Sequence, residues 1–118
     1  MFFNTKIKSN ADIDILIKNG ADINYQETLF GQTYLHLLVK TSSPFLDYFL
    51  SKVPNTNIQN KEGRTPIFYA NDVETIEKLV KHRASVYIRD FNGKNFIDIK
   101  PKLMSDFNKK RKNILGLF

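Results

Sequence analysis

The sequence contains no cysteine and no tryptophan among its 118 residues. The lack of cysteine excludes disulfides, thiolate metal sites and cysteine nucleophiles. Long apolar runs are missing too: none approaches the length of a membrane span, and the first residues lack the apolar core of a signal peptide. We therefore expect a single globular domain in the cytoplasm that does not engage a membrane.

Patterns typical of catalysis are also missing. No serine is matched with a convergent His and Asp, no His-x-x-x-His or Asp-x-Asp-x-Asp spacing occurs, and no glycine-rich loop leads into a helix. The closest acidic pair, Asp12 and Asp14, has a two-residue spacing at which helical side chains do not face each other. We expect no enzymatic activity, no cofactor and no bound metal.

Acidic residues are scarce near the C-terminus. Residues 94–118 hold seven Lys and Arg against two Asp, so they carry five of the six net positive charges. The run Lys109-Lys-Arg-Lys112 invites a nucleic-acid or nuclear-localisation interpretation. No aromatic residues are interleaved with these cations to stack on bases, which favours a solvated face on a closing helix, or contact with an acidic protein.

Three glycines recur in similar phrases along the chain. Gly31, Gly63 and Gly93 are spaced 32 and 30 residues apart. A repeat of this length is one supersecondary unit that can bury its apolar face only against neighbouring units. Hydrophobic periodicity between the glycines predicts two short helices per unit, followed by an extended stretch and a turn. We expect these turns, called fingers below, near residues 24–32, 57–64 and 87–94.

Capping residues and apolar spacing indicate where the helices lie. Asn10 and Thr65 are expected to cap helices, the latter with Pro66 at the first helical position, and Thr33 to Lys40 is expected to be helical. Residues 2–8 are expected to add an imperfect helix, and residues 102–114 a closing helix. The positions expected to be buried between the helical layers are Leu35, Phe49, Leu50, Ile67, Leu79 and Val80.

Two motifs then resemble a known family. Gly31-Gln-Thr-Tyr-Leu-His and Gly63-Arg-Thr-Pro-Ile-Phe-Tyr-Ala resemble the Gly-x-Thr-Pro-Leu-His-x-Ala signature of ankyrin repeats, and Gly20-Ala-Asp-Ile-Asn resembles the phrase that joins two repeats. The resemblance covers roughly residues 10–100. It implies an all-α ankyrin-repeat solenoid of three to four helix-turn-helix units with short β-hairpin fingers. The units would be residues 1–30, 31–62, 63–92 and 93–118.

The sequence departs from the family pattern at several places. Tyr34 replaces the signature proline in one unit, and Phe68 replaces the signature histidine in the next. The finger before Gly31 carries one extra residue, and the unit beginning at Gly63 is about three residues short between its helices. These departures indicate degenerate repeats near the ends of the stack.

The resemblance also implies a binding surface, formed by the fingers and the first helices. His36 occupies the signature position and is expected to be structural, bonded to nearby backbone and to Thr33. Large apolar side chains at fingertips are expected to anchor an interface, although Leu29 and Phe30 could instead fold back onto the next finger, and Tyr69 could face either the groove or the core. The candidate partner-binding residues are Leu29, Phe30, Gln32, Lys61, Glu62, Arg64, Tyr69, Phe91 and Lys94.

The expected function is non-catalytic binding of another protein. The size of the chain resembles the ankyrin-type immunity proteins of bacterial toxin systems, which implies neutralisation of a cognate toxin, one with an acidic surface, by occlusive binding. The alternatives are a host-directed effector or viral ankyrin adaptor and, with the least support, a nucleic-acid-binding protein that uses the basic C-terminus.

Overall fold

The computed structural model describes residues 7–115, and the side chains of residues 7–112. Within this range the helices are α1 Asn10–Lys18, α2 Tyr34–Lys40, α3 Leu46–Ser51, a 3₁₀ helix Pro66–Tyr69, α4 Val73–Lys81, α5 Phe96–Ile99 and α6 Pro101–Leu115. No regular β-strand occurs in residues 7–115. The expected fingers are present as turns, each closed by backbone hydrogen bonds.

The helices form two rows. In one row α2 packs against the 3₁₀ helix, which packs against α5, and in the other row α1 contacts α3 and α4 contacts α6. Contacts of α2 with α3 and of α5 with α6 join the rows. The core between them includes ten side chains that are at most 1% exposed: Ile13, Leu35, Val39, Phe49, Leu50, Ile67, Ala70, Ile76, Leu79 and Phe96.

The expected burial pattern is confirmed at five of the six named positions. Val80 is the exception, because it is only partly buried. It lies at the edge of a groove beside α6, where no further helix covers it. The closing helix expected at residues 102–114 is α6. Of the helix expected at residues 2–8, residues 7 and 8 are not helical, and residues 2–6 lie outside the described range.

The start of α1 differs by one residue from the expectation. Ser9 has an extended backbone and precedes the helix, and Asn10 is its first helical residue rather than its cap. The carboxylate of Asp12 accepts hydrogen bonds from the backbone N–H groups of Lys8 and Ser9, at 2.8 and 3.2 Å. These bonds satisfy donors just before the helix, so the helix begins at Asn10.

Thr65 is the residue before the helix, as expected, but the expectation that its hydroxyl caps the helix is wrong. Pro66 does occupy the first helical position, but the Thr65 hydroxyl is buried and makes no hydrogen bond. The helix that follows is a four-residue 3₁₀ helix, whereas the equivalent α2 has seven α-helical residues. The unit is about three residues shorter between its helices, which leaves no room for a second helical turn before α4 begins.

Candidate functional site

Each finger is closed by one polar side chain that accepts hydrogen bonds from the turn. Asn60 Oδ1 accepts from the backbone N–H groups of Glu62 and Arg64, both at 3.0 Å. Asp90 Oδ1 accepts in the same way from Asn92 and Lys94, at 2.9 and 3.0 Å. The two turns are therefore equivalent, although one uses an amide oxygen and the other a carboxylate.

The first finger is closed in the same way by a longer side chain. Glu27 lies four residues before Gly31, whereas Asn60 and Asp90 lie three residues before their glycines. The Glu27 carboxylate accepts from the N–H groups of Leu29, Phe30 and Gln32, at 2.7, 2.8 and 3.0 Å. The added methylene of Glu spans the added residue of the turn, so the insertion is accommodated locally.

These hydrogen bonds also fix the charge state of the acids. The bond from the Gln32 N–H is the largest of the effects that hold the pKa of Glu27 below its ordinary value. At Asp90 the bond from the Lys94 N–H is the largest, and Arg64 lowers the pKa further. Both carboxylates are thus ionised and already committed to their own turns.

A ladder of side chains joins successive fingers. Gln26 donates from Nε2 to the carbonyls of Gly31 and Gln59, both at 2.9 Å. Gln59 repeats this with the carbonyls of Gly63 and Arg89, at 2.9 and 3.1 Å. The stack therefore holds the three fingertips in a fixed row.

Backbone contacts between fingers are equally regular. The Lys61 N–H donates to the Phe30 carbonyl, and the Phe91 N–H donates to the Glu62 carbonyl, both at 3.0 Å. A Cβ on Gly63 would lie 2.6 Å from the Phe91 backbone nitrogen and 2.6 Å from its Cδ1. Gly63 therefore meets two requirements at once, a positive φ of 80° and the close approach of the next finger.

His36 is a structural residue in this arrangement. Its Nδ1 accepts from the Thr33 N–H at 3.0 Å, which assigns the ring proton to Nε2, and Nε2 lies 2.8 Å from the Arg64 carbonyl. The Thr33 hydroxyl lies 2.8 Å from Nδ1. Burial is the main effect on this ring and lowers the pKa of His36. Its hydrogen bonds to Thr33 and to backbone are those the sequence predicted.

The fingertip side chains Leu29 and Phe30 point away from the protein. They are 70% and 62% exposed, so they do not fold back onto the next finger. Phe30 also lines a shallow groove of about 260 Å³ together with Glu27, Gln32, Leu37 and Lys40. Leu37 is 40% exposed on α2, which gives the groove an apolar floor. Exposed apolar side chains beside a groove are typical of interaction surfaces.

Phe91 is exposed and Arg64 is partly buried, and both side chains also support the fold. Phe91 is 71% exposed while its ring lies against Gly63. Arg64 Nε lies 3.3 Å from Asp90 Oδ2, and the guanidinium lies 5.6 Å from the centre of the Phe68 ring. Part of each side chain is therefore used in joining the second finger to the third.

Gln32 and Tyr69 meet between the first two fingers. Asn60 Nδ2 donates to Gln32 Oε1 and to the Tyr69 hydroxyl, both at 2.8 Å. The Tyr69 ring packs edge-on against His36, with centroids 6.1 Å apart, and Lys40 Nζ lies 5.6 Å from its centre. Tyr69 is half-buried, with its ring beside Lys40 at the edge of the groove and its hydroxyl bonded to the finger.

The remaining candidates, Lys61, Glu62 and Lys94, are exposed. The Lys61 ammonium donates to the Thr28 carbonyl, which adds a link between the first two fingers. Eight of the nine candidates thus lie on the row of fingers, and Tyr69 lies on the 3₁₀ helix beside it. Sequence reasoning missed Leu37 and Lys40, although their position on the helix that opens with the signature motif could have indicated them.

The basic C-terminal helix is only partly free. Lys110 Nζ bonds to Glu77 on α4 at 2.6 Å, and Lys102 pairs with Asp106 at 3.7 Å. Lys109 and Lys112 are exposed. Lys110 therefore has a structural role, and Lys109 and Lys112 remain available to an outside partner.

Comparison with known proteins decides the family. A family model for ankyrin repeats in three copies matches residues 5–90. The chain is an ankyrin-repeat protein. A protein of fowlpox virus named as an ankyrin repeat protein is 35% identical over 96 residues, which cover 77% of this chain and 28% of that one. Ankyrin repeats are protein-interaction modules, and the fingers described above are those of this family.

Two further viral relatives are similar. A protein of Acanthamoeba polyphaga mimivirus, also named as an ankyrin repeat protein, is 39% identical over 80 residues, covering 64% of this chain and 19% of that one. An I-Kappa-B like protein of Microplitis demolitor bracovirus is 36% identical over 77 residues, covering 61% and 44%. This ankyrin-repeat chain therefore spans less than half the length of these relatives.

The described residues offer little for other chemistry. Among them, no group of three or more His, Cys, Asp or Glu side chains is placed to hold a metal ion. No helix within the same residues is long and apolar enough to cross a membrane.

Proposed function

We propose that this ankyrin-repeat chain binds another protein through its finger row and covers part of that partner's working surface. The exposure of Leu29, Phe30 and Phe91 is the observation that carries the proposal. Aromatic and large apolar side chains on a rigid frame supply much of the affinity of protein interfaces at a low cost in entropy. The hydrogen-bonded finger ladder supplies the rigid frame.

The site divides into anchors and supports. Phe30 is the clearest anchor, because it is 62% exposed and lies over the groove floor at Leu37. Phe91 and Arg64 serve both roles, since one lies on Gly63 and the other pairs with Asp90. Gln32 and Tyr69 orient the groove wall through Asn60. Lys61, Glu62 and Lys94 form the polar surroundings of the contact.

Two biological settings fit such a module. In a bacterial setting it would be an immunity protein that neutralises a cognate toxin by occlusive binding. In a viral or host-directed setting it would be an adaptor or effector that captures a host protein. The viral origin of the relatives described above favours the second setting. A toxin gene directly upstream of this one would instead favour the first.

Site-specific photo-cross-linking in the native cell tests the surface without knowledge of the partner. A benzophenone amino acid is placed at position 30, at position 91, or at Ile15, which is 55% exposed on α1 and serves as the control. We expect the same protein adduct from positions 30 and 91 and none from position 15. Adducts that form only at position 15 would contradict the proposal.

Affinity measurement with the captured partner then tests the anchor. Replacing Phe30 with Ala should weaken binding by about 1–4 kcal/mol, because a desolvated aromatic anchor is lost. The melting temperature should stay close to that of the wild type, because the ring is mostly exposed. An unchanged affinity would remove Phe30 from the interface.

A further inference from the structure

A second groove lies away from the finger row, between α6 and the extended stretch that follows α4. Its volume is about 420 Å³. The apolar floor is formed by Val80, Val86, Ile97, Met104 and Phe107. Tyr87, which is 70% exposed, stands at its edge together with Arg83 and Arg111. The groove thus combines an apolar floor, of which Val80 and Ile97 are partly exposed, with an aromatic ring and two cations.

At the equivalent interface one unit earlier, side-chain hydrogen bonds join the two sides. Asn57 donates from Nδ2 to the Arg83 carbonyl at 3.0 Å and accepts from the Ser85 N–H at 2.9 Å. Asn24 makes a similar link one unit before, accepting from the Asn55 N–H at 2.8 Å. Tyr87 occupies the corresponding position in the third unit, two residues before Arg89 as Asn57 is before Gln59.

The Tyr87 side chain makes no equivalent hydrogen bond. The Asn bridges reach the loops that follow α3 and α4, whereas α6 continues as a helix to Leu115. Within the described side chains, the Tyr87 hydroxyl has no hydrogen-bond partner, and only its backbone N–H is bonded, to Ser85 Oγ at 3.1 Å. A groove of about 450 Å³ also lies at the preceding interface, but there Asn57 joins its two sides by hydrogen bonds, whereas Tyr87 joins none.

The charges around this groove are of one sign. Its lining contains Arg83 and Arg111 but no carboxylate. The Arg111 guanidinium lies 5.5 Å from the centre of the Phe107 ring, which holds it over the floor. On the flanking helices, Glu77 pairs with Lys110 and Asp106 pairs with Lys102, and Glu74 is exposed on α4. Both groove arginines are free of ion pairs among the described residues.

We propose that this groove binds a segment of another protein in which a carboxylate side chain lies beside a large apolar side chain. The apolar side chain would cover the floor, and the carboxylate would pair with Arg83 or Arg111 in a charge-assisted contact. A nucleic acid fits the site less well, because phosphates and sugars would leave the apolar floor uncovered and Tyr87 offers a single stacking surface. This site is separate from the finger row and does not depend on it.

The test uses short random peptides displayed on phage and selected on the full chain. We expect the selected clones to combine Asp or Glu with Leu, Ile, Phe or Met at neighbouring positions. The strongest clone is then synthesised, and its affinity is measured by fluorescence anisotropy. Arg111→Glu should weaken binding by about tenfold or more, since it places like charges together. Arg111→Lys should retain most of the affinity.

Lys109→Glu is the matched control. It makes the same change of charge on an exposed residue of α6 that does not line the groove. Equal losses in Lys109→Glu and Arg111→Glu would show a general charge effect and overturn the proposal. The proposal is also overturned if no clone is selected, or if the clones lack carboxylates.

Two further outcomes would assign the groove or the peptide elsewhere. Tight binding of a single-stranded oligothymidylate that is lost in Arg111→Glu would make the groove a nucleic-acid site. Clones whose binding is lost in Phe30→Ala but kept in Arg111→Glu would belong to the finger row. Either result contradicts this inference, and the second leaves the function proposed for the fingers intact.

Discussion

The units that begin at Gly31 and Gly63 open their first helices differently. In the first, the Thr33 hydroxyl and the His36 ring form a closed set of bonds that reaches the Arg64 carbonyl of the next unit. In the second, Phe68 stands where the histidine would be, and the Thr65 hydroxyl is buried without a partner. The same threonine is therefore hydrogen-bonded in one repeat and left without a partner in the next.

In the unit that begins at Gly63, other contacts replace the histidine hydrogen bonds. Phe68 is 3% exposed and fills the space with apolar contact, and Arg64 lies over its ring. The link to the third finger is made instead by the ion pair of Arg64 with Asp90. Buried apolar area and an interfinger ion pair thus stand in for the histidine network.

The largest effect is expected from the second helices of the two units. Leu50 is fully buried, and the equivalent Val80 is partly exposed at the groove. Leu50→Ala should lower the free energy of unfolding by about 2–5 kcal/mol, through lost transfer energy and a cavity. Val80→Ala should cost about 1 kcal/mol. Urea unfolding measures both, and similar costs would contradict the difference in packing.

The next test replaces the two threonines, and the two changes in the free energy of unfolding are expected to have opposite signs. Thr33→Val removes a helix cap bonded to His36 and should destabilise by about 1–2 kcal/mol. Thr65→Val removes a buried hydroxyl that has no partner and should stabilise by about 1 kcal/mol. Thermal unfolding of both variants is sufficient. If Thr65→Val destabilises as much as Thr33→Val, the Thr65 hydroxyl has a bonding partner in solution.

A histidine at position 68 sharpens this comparison. In the Phe68→His background, the Thr65 hydroxyl should bond to the imidazole Nδ1, as the Thr33 hydroxyl lies 2.8 Å from Nδ1 of His36 in the preceding unit. Thr65→Val should then become destabilising in that background. A double-mutant cycle measures the change of sign, and the absence of any coupling would contradict the equivalence of the two sites.

Sequence reasoning accounts for most of the fold because its signals are local. Helix periodicity, Pro66 and the turn glycines act within a few residues, so α2, α4, α6 and the fingers were predictable. The orphaned Thr65 was not, because it depends on a shorter unit and on the neighbour at Phe68. Phe68 and the shorter unit were both visible in the sequence, but their combined effect on the Thr65 hydroxyl was not.

The candidate site was predictable in part for similar reasons. Exposure of Leu29 and Phe30 follows from their place at a turn. The contact of Phe91 with Gly63 and the pairing of Arg64 with Asp90 join fingers 26–28 residues apart. Such contacts need the offset between neighbouring fingers, which a single sequence does not contain. The pairing of Glu27 with the longer turn could have been predicted, because the turn has one added residue and Glu has one methylene more than Asn or Asp.

The loops that end the second helices provide a smaller test of the same equivalence. Gly20, Val53 and Arg83 each follow such a helix with a positive φ, of 89°, 58° and 72°. A β-branched residue is strained in this region, and Val53 also precedes Pro54. Because Val53 is 80% exposed and packs little, Val53→Gly should stabilise by about 1 kcal/mol.

Gly20→Ala provides the opposite change at the equivalent position. Nothing lies within 4 Å of the added Cβ, so any effect comes from the backbone alone. It should destabilise by about 1 kcal/mol. Thermal unfolding of the two variants tests the pair, and a loss of stability in Val53→Gly would show that the side chain contributes contacts that offset its strain.

The last expected effect is the pH dependence of stability that comes from His36, in the unit that begins at Gly31. Burial lowers the pKa of His36 from its ordinary 6.5, so the folded state keeps the ring neutral while the unfolded chain takes up a proton. Stability should therefore be full above pH 6.5 and fall as the pH drops below it, by at most about 1.4 kcal/mol per pH unit. The carboxylates with lowered pKa, such as Glu27 and Asp90, stay ionised down to about pH 5.

Urea midpoints measured between pH 7.5 and about 5 isolate the histidine contribution, and His82→Gln serves as the control because it removes the other histidine. If the slope disappears in His82→Gln, the dependence does not come from the buried ring of the first unit.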